Sequence, residues 1–205
     1  NKIAAVCVTT GPGGINAMNG VAGGFLDSIP MFVISGQVRY DTTARYMQQF
    51  TNGLPIRAVG DQEFDITKAA ASMCKYAVML EKPEDIRYIL ERAYHLATTG
   101  RRGPSWVDIP VDQGLVIETE HLRGYHPAEE NAERRTPIEE YTIEEVLERI
   151  KHAKRPVFYA GNGIRLSGGY EEFRRFVEQM QLPVVTGWDS IDLIEDTHPL
   201  YVGRG

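Results

Sequence analysis

The densest group of chemistry-bearing residues in this 205-residue chain is Thr10-Gly-Pro-Gly-Gly-Ile-Asn16. Gly11, Gly13 and Gly14 open backbone angles closed to other residues, while Pro12 fixes one φ and has no amide hydrogen. The turn is therefore shaped, and another group can approach its backbone closely. Asn16 carries an amide that both gives and accepts hydrogen bonds. Taken alone, Asn16 reads as the cap of a following helix and Gln37 as the end of a strand. A second glycine turn, Gly161-Asn-Gly-Ile-Arg165, has a shape that can cradle a nucleotide phosphate with Arg165 beside it, yet it lacks the full G-x-G-x-x-G spacing. His95 falls beside the buried face of its expected helix and reads as structural or at the surface. Cys7 and Cys74 fit neither C-x-x-C nor Cys/His patterns, so neither a metal site nor a disulfide is expected.

The elements that must position these residues follow from patterning. Ile3–Thr10 is continuously apolar and β-branched, which predicts a strand covered on both faces of a parallel sheet. Ala17–Asp27 predicts a helix of small residues; its glycines cost an isolated helix roughly 1 kcal/mol each, so tertiary or intersubunit packing must hold it. Ile29–Val38 predicts a second strand. Tyr40 to Phe50 predicts a short helix stopped near Asn52-Gly53, and Lys75–Leu80 a strand. Lys82–Ala97 predicts the clearest helix, with Pro83, Glu84 and Asp85 in its first turn. Its buried face is Ile86, Ile89, Leu90, Ala93, Tyr94 and Ala97. Ser105–Asp112 predicts the last strand of the first unit.

From Gln113 to about Tyr141 the chain turns polar and acidic and reads as a linker. A second unit follows: a helix from Thr142, with Thr142 as N-cap and Glu145 completing a capping box, then a strand at Pro156–Ala160. The glycine turn at 161–169, a helix at Glu171–Gln181 and a strand at Leu182–Gly187 complete it. The fold class predicted is α/β, with parallel sheets flanked by helices in two incomplete domains: 1–114, a linker at 115–141, and 142–205.

Composition narrows the partners. Twenty-two Lys and Arg against 28 Asp and Glu give a net charge of −6, which repels nucleic-acid phosphates and anionic lipid. No apolar run approaches the roughly 20 residues that span a bilayer, and no basic-then-apolar leader opens the chain. A cytoplasmic protein without nucleic-acid or membrane partners is expected.

Thr10-Gly-Pro-Gly-Gly-Ile-Asn16, Asp27-Ser-Ile-Pro30 and Ile34-Ser-Gly-Gln-Val38 together resemble the pyrimidine-binding domain of thiamine diphosphate enzymes of the acetolactate synthase group. Gly100-Arg-Arg-Gly-Pro104 with Val107-Asp-Ile-Pro110 extends the likeness, and Thr197-His-Pro-Leu-Tyr-Val-Gly203 resembles the central domain of the same family. The approach from Tyr40 to Val59 is longer than in acetolactate synthases proper, and resembles relatives found among carbohydrate-biosynthesis genes.

The resemblance implies a lyase or transferase that decarboxylates a 2-keto acid and joins it to an acceptor, with active sites shared across a homodimer or homotetramer. It implies thiamine diphosphate with magnesium, the metal being bound by a third domain that this stretch lacks, and in some members FAD. Carried over by motif, Pro12 and Asn16 touch the aminopyrimidine, and Gln37 and Gln62 line the site near the reacting carbon. Arg101 matches a position that contacts FAD, although as a loop arginine it reads first as facing solvent. The glutamate that bonds the pyrimidine ring lies in the family upstream of the glycine turn, so none is assigned, and Glu63 does not replace it. The chain then reads as a fragment, inactive alone. The competing expectation is a non-catalytic module of the same ancestry that holds FAD or a sugar nucleotide.

Overall fold

The computed structural model describes residues 3–114, 118–130 and 138–205, and the chain divides into two compact units, Asn1–Arg134 and Arg135–Gly205. In the first unit, strand β1 (Ala4–Val8) leads through helix α1 (Pro12–Leu26) to β2 (Met31–Gln37). A short helix α2 (Ala44–Met47), flanked by 3-10 turns, and α3 (Ile66–Ala70) precede β3 (Tyr76–Met79), helix α4 (Ile86–Thr98) and β4 (Pro104–Pro110). All pairings are parallel, in the order β1-β2-β4-β3. β4 thus lies at the centre and is the most completely buried strand.

Alternation along the strands splits the core in two. Val33 and Trp106 point to one face, where Val21 of α1 and Ile66 and Ala70 of α3 meet them. Their neighbours Phe32 and Val107 point to the other, against Ile89 and Ala93 of α4. Burying such side chains is worth about 1.5–3 kcal/mol each, so Trp106, Val107 and Val33, all fully buried, fix the register of the sheet. Helix α4 follows its expected stripe except at Tyr94, which is 55% exposed.

Two expectations need correction in this unit. Helix α1 starts at Pro12, not Ala17: Gly11 takes φ 52° and Pro12 occupies the first turn, where its missing N–H leaves nothing unbonded, so Gly13, Gly14 and Asn16 are helical. β1 is not covered on both faces. Ala4, Ala5 and Cys7 are exposed because β1 is the edge strand and α4 lies over β2, β3 and β4. Within the chain, α1 packs through buried Gly14, Val21 and Gly24. The stop at Asn52-Gly53 is as expected, both residues having positive φ. Residues 118–130, within the expected linker, include a segment that packs on α4. The Glu91 carboxylate accepts from Tyr125 N–H at 2.7 Å, and Arg92 pairs with Glu130 at 2.6 Å.

In the second unit, helix α5 (Glu140–His152) precedes β5 (Phe158–Ala160), α6 (Gly163–Ser167), α7 (Tyr170–Met180), β6 (Val184–Thr186) and β7 (Tyr201–Arg204). The three strands are parallel in the order β5-β6-β7 around Ala160, Phe173, Val177, Val184 and Leu193. Thr142 is not the N-cap of α5: the helix begins at Glu140, where acidic side chains suit the N-terminal dipole. The expected glycine turn contains the single-turn helix α6, ended by Gly168 in the left-handed region. Among the described residues no helix is long and apolar enough to cross a membrane.

Candidate functional site

In the first unit the predicted residues collect where open parallel sheets bind ligands, at the carboxyl ends of the strands. β1 ends into Thr10-Gly11, β2 ends at Gln37, and Asp108 lies two residues from the end of β4. Here Gly11 is required on two counts. Its φ is 52°, and a Cβ built on it would fall deep inside the Gln62 carbonyl oxygen, with the Gln62 carbonyl carbon 3.3 Å away. Gln62 is itself left-handed at φ 58°. The loop before α3 is therefore seated directly on the turn that starts α1.

Gln37 ties these segments together. Its Nε2 donates to the Phe64 carbonyl at 2.9 Å and to Asp108 Oδ2 at 2.9 Å. Its Oε1 accepts from the Thr10 hydroxyl at 2.8 Å and from Val38 N–H at 3.0 Å. Both donors and both lone pairs of the amide are thus engaged, and the side chain is buried. Beneath it, Trp106 Nε1 donates to Ser35 Oγ at 2.8 Å, and Ser35 Oγ donates to Asp108 Oδ1 at 2.5 Å. Asp108 is fully buried; burial pushes its carboxyl up to about 6, against the pull of the Ser35 and Gln37 hydrogen bonds.

Pro12 and Asn16 stand one turn apart on the exposed side of α1, with Ile15 beside them 45% exposed. Asn16 is the fifth residue of α1, so it caps nothing, and its amide bonds no other described residue. An apolar surface with a free amide at its edge is what a flat heteroaromatic ring with polar edges needs. The turn is reachable from outside. Gln62 is also exposed, beside Gly11. Glu63 is buried and its carboxylate accepts from Val59 N–H at 3.2 Å, a local role within the loop.

Pro12, Asn16, Gln37 and Gln62 are thus brought together, and Arg101 is not with them. Its Nε donates to Ser28 Oγ at 2.9 Å. Ser28 lies past the C-terminal end of α1, a helix of 15 residues or about 22 Å. Arg165 belongs to the second unit, where it pairs with Asp192 at 3.0 Å, donates to the Asp192 carbonyl at 2.6 Å and lies over the Tyr170 ring. His95 packs against Tyr125, the two rings tilted at 49°. Cys74 is buried, and burial pushes its thiol up to about 12.

Sequence reasoning missed Thr10, Ser35, Trp106 and Asp108. A sign was present: Asp108 is a lone carboxylate in an apolar run that must be buried on both faces, a position charge occupies only with partners.

The loop from Tyr40 to Phe64, which carries Gln62, is fastened from outside the site. Arg45 of α2 reaches Asp65 at 3.1 Å, Thr67 at 2.7 Å and Glu81 at 3.2 Å. Burial raises the Asp65 carboxyl, but the Thr67 hydroxyl and the Arg45 guanidinium more than offset it and hold it below the usual range.

The fold is that of a parallel α/β domain followed by a second parallel α/β unit. Comparison with known proteins makes this specific. Residues 1–56 match the model of the thiamine pyrophosphate enzyme N-terminal TPP binding domain, and residues 143–205 that of the central domain of the same enzymes. The chain belongs to the thiamine pyrophosphate enzyme family. It is 34% identical to the acetolactate synthase large subunit of Lactococcus lactis, over 98% of this chain and 33% of that protein. It is 35% identical to the Corynebacterium glutamicum large subunit, over 97% and 30%. The isozyme 3 large subunit of Escherichia coli K12 is 30% identical, over 98% and 33%. The chain therefore spans about a third of the length of these relatives. A solved X-ray structure of a candidate thiamin diphosphate-dependent enzyme from Mycobacterium smegmatis shares the fold, with a TM-score of 0.72 at 21% identity over 99% of this chain and 36% of that one.

Proposed function

We propose that this chain supplies the pyrimidine side of a thiamine diphosphate site in an acetolactate synthase-like enzyme, which decarboxylates a 2-keto acid and joins it to an acceptor. The observation that carries the reading is the meeting of the Thr10–Asn16 turn, Gln37 and Gln62 at the carboxyl ends of β1 and β2, with Asn16 exposed and its amide bonded to no other described residue. These residues fit the group: Pro12 and Ile15 offer apolar surface, and Asn16 can give to or accept from a ring nitrogen or amine. When bound, the cofactor supplies the electron sink that keto-acid decarboxylation needs. The chain's own residues orient. Gly11 lets the Gln62 loop close on the turn, Gln37 keeps the three segments in register, and Pro12 stiffens the first turn of α1.

On the same reading, magnesium and the diphosphate are held outside this chain by a third domain, and the site is completed across a homodimer. FAD, where it is held, meets Arg101, and in the second unit the Gly161–Arg165 turn is a separate candidate for a nucleotide phosphate. Arg165 must then leave Asp192 to reach a phosphate. The lyase or transferase class and the cytoplasmic setting belong to the proposal as well.

The test is thermal unfolding of the full-length protein with and without thiamine diphosphate and magnesium. A cofactor held at 100 times its Kd stabilises by about 2.7 kcal/mol, which reads as a rise of several degrees. Asn16→Ala should reduce that rise. An unchanged midpoint at saturating cofactor contradicts the proposal.

A further inference from the structure

We infer that Asp108, which lies beneath the site and touches no ligand-facing surface, is a positioning residue that sets the orientation of the Gln37 amide and through it the spacing of the Thr10 turn and the Phe64 segment. This deepens the thiamine diphosphate reading and rests on it for the ligand.

The geometry carries the inference through hydrogen-bond direction. Asp108 is the terminal acceptor of two donors, the Ser35 hydroxyl and the Gln37 Nε2. Ser35 cannot turn its hydroxyl away cheaply, because its oxygen already accepts from Trp106 Nε1. With one carboxylate oxygen given to Ser35, the other faces Gln37, and only the NH2 end of that amide can face it. The Oε1 end must then point at Thr10 and Val38, and the second Nε2 hydrogen at the Phe64 carbonyl. If the amide turned over, Oε1 would oppose both the Phe64 carbonyl and Asp108, and Nε2 would oppose the Val38 N–H. Each such mismatch leaves a buried polar group unpaired. A carboxylate at 108 thus selects one of two amide orientations, and that orientation is the one that closes the turn on the loop.

The test compares variants of the full-length protein that cut different links of the chain. Asp108→Asn puts an NH2 where Gln37 or Ser35 needs an acceptor. Ser35→Ala removes the other partner of the same carboxylate, equally deep in the core, and leaves the Gln37 to Asp108 bond in place. A role in general stability would make the two variants alike. The inference expects Asp108→Asn to weaken thiamine diphosphate binding by about tenfold or more, from one buried partner lost, and to speed hydrogen exchange at Val38 and over residues 60–66. It expects Ser35→Ala to change affinity by less than about threefold, since the link to Gln37 survives. Should Asp108→Asn fail to fold, Thr10→Val cuts the same chain at a half-exposed hydroxyl; the inference then requires weaker cofactor binding with the unfolding midpoint unchanged. Wild-type affinity in Asp108→Asn, equal losses in Asp108→Asn and Ser35→Ala, or wild-type affinity in Thr10→Val overturns the inference. If the wild-type protein binds no thiamine diphosphate, the proposed function fails. The exchange rates of Val38 in Asp108→Asn and Ser35→Ala then still decide whether Asp108 positions Gln37.

Discussion

Replacing Gly11 with alanine tests the most constrained point of the site. Gly11 holds φ 52°, where an L-residue costs roughly 1–2 kcal/mol. The added methyl would also overlap the Gln62 carbonyl oxygen, so the loop before α3 must retreat. Overpacking of this kind costs about 1–3 kcal/mol, and together the two effects amount to about 3 kcal/mol. The loss is local, because the loop that retreats also carries the Phe64 carbonyl bonded to Gln37. The assay is urea denaturation of full-length protein, followed by hydrogen exchange of the Met31–Gln37 strand, alongside titration with thiamine diphosphate. Gly11→Ala should lower stability by about 3 kcal/mol and weaken cofactor binding. Gly23→Ala is the control. It lies within the same helix with nothing near its built Cβ, and should gain about 0.5–1 kcal/mol. Equal losses in the two variants, or a Gly11→Ala protein as stable as wild type, would refute the reasoning.

Asp108 makes stability depend on pH in a direction opposite to most carboxylates. Its folded value of about 6 stands above the ordinary 3.8, so its contribution is complete below the ordinary value and is lost as pH rises through about 6. Relative to Asp108→Asn, wild-type stability should fall by roughly 3 kcal/mol between pH 3 and pH 8; a difference that grows with pH would contradict this. Arg45→Met should release the Tyr40–Phe64 loop, because Asp65 and Thr67 lose the half-buried guanidinium that fastens them. A cost of about 1–3 kcal/mol is expected, with faster proteolysis within the loop, and unchanged proteolysis would count against it. Cys74, whose thiol burial pushes up to about 12, should resist alkylation at pH 8 until denaturant is added, as peptide mass mapping would show.

Much of the fold was legible because its signals are local. The apolar runs around Val33 and Val107 announce strands, and the spacing from Ile86 to Ala97 announces α4. Two boundaries moved for physical reasons. Pro12 looked like part of a turn, yet it suits the first helical turn once Gly11 takes the left-handed angle. Thr142 looked like a cap, yet the acidic pair before it begins the helix. The covering of β1 was misjudged because an apolar run does not say where in a sheet a strand lies.

Pro12 and Asn16 stand out in the sequence through their motif, and the fold sets both on the exposed side of the start of α1. Long-range partners were not legible, since Gln37 to Asp108 spans 71 residues, and only the folded sheet brings β2 and β4 side by side. Arg101 and Arg165 match by type, and the fold gives each a partner distant in sequence, Ser28 for Arg101 Nε and Asp192 for one Arg165 Nη.

The most direct measurement is a crystal structure of the full-length protein with thiamine diphosphate and magnesium. The aminopyrimidine ring should lie against Pro12 and Ile15, with the Asn16 amide bonded to its edge, and with Gln37 still holding Thr10, Phe64 and Asp108. A ring bound elsewhere, with the exposed face of α1 bare, would contradict the account.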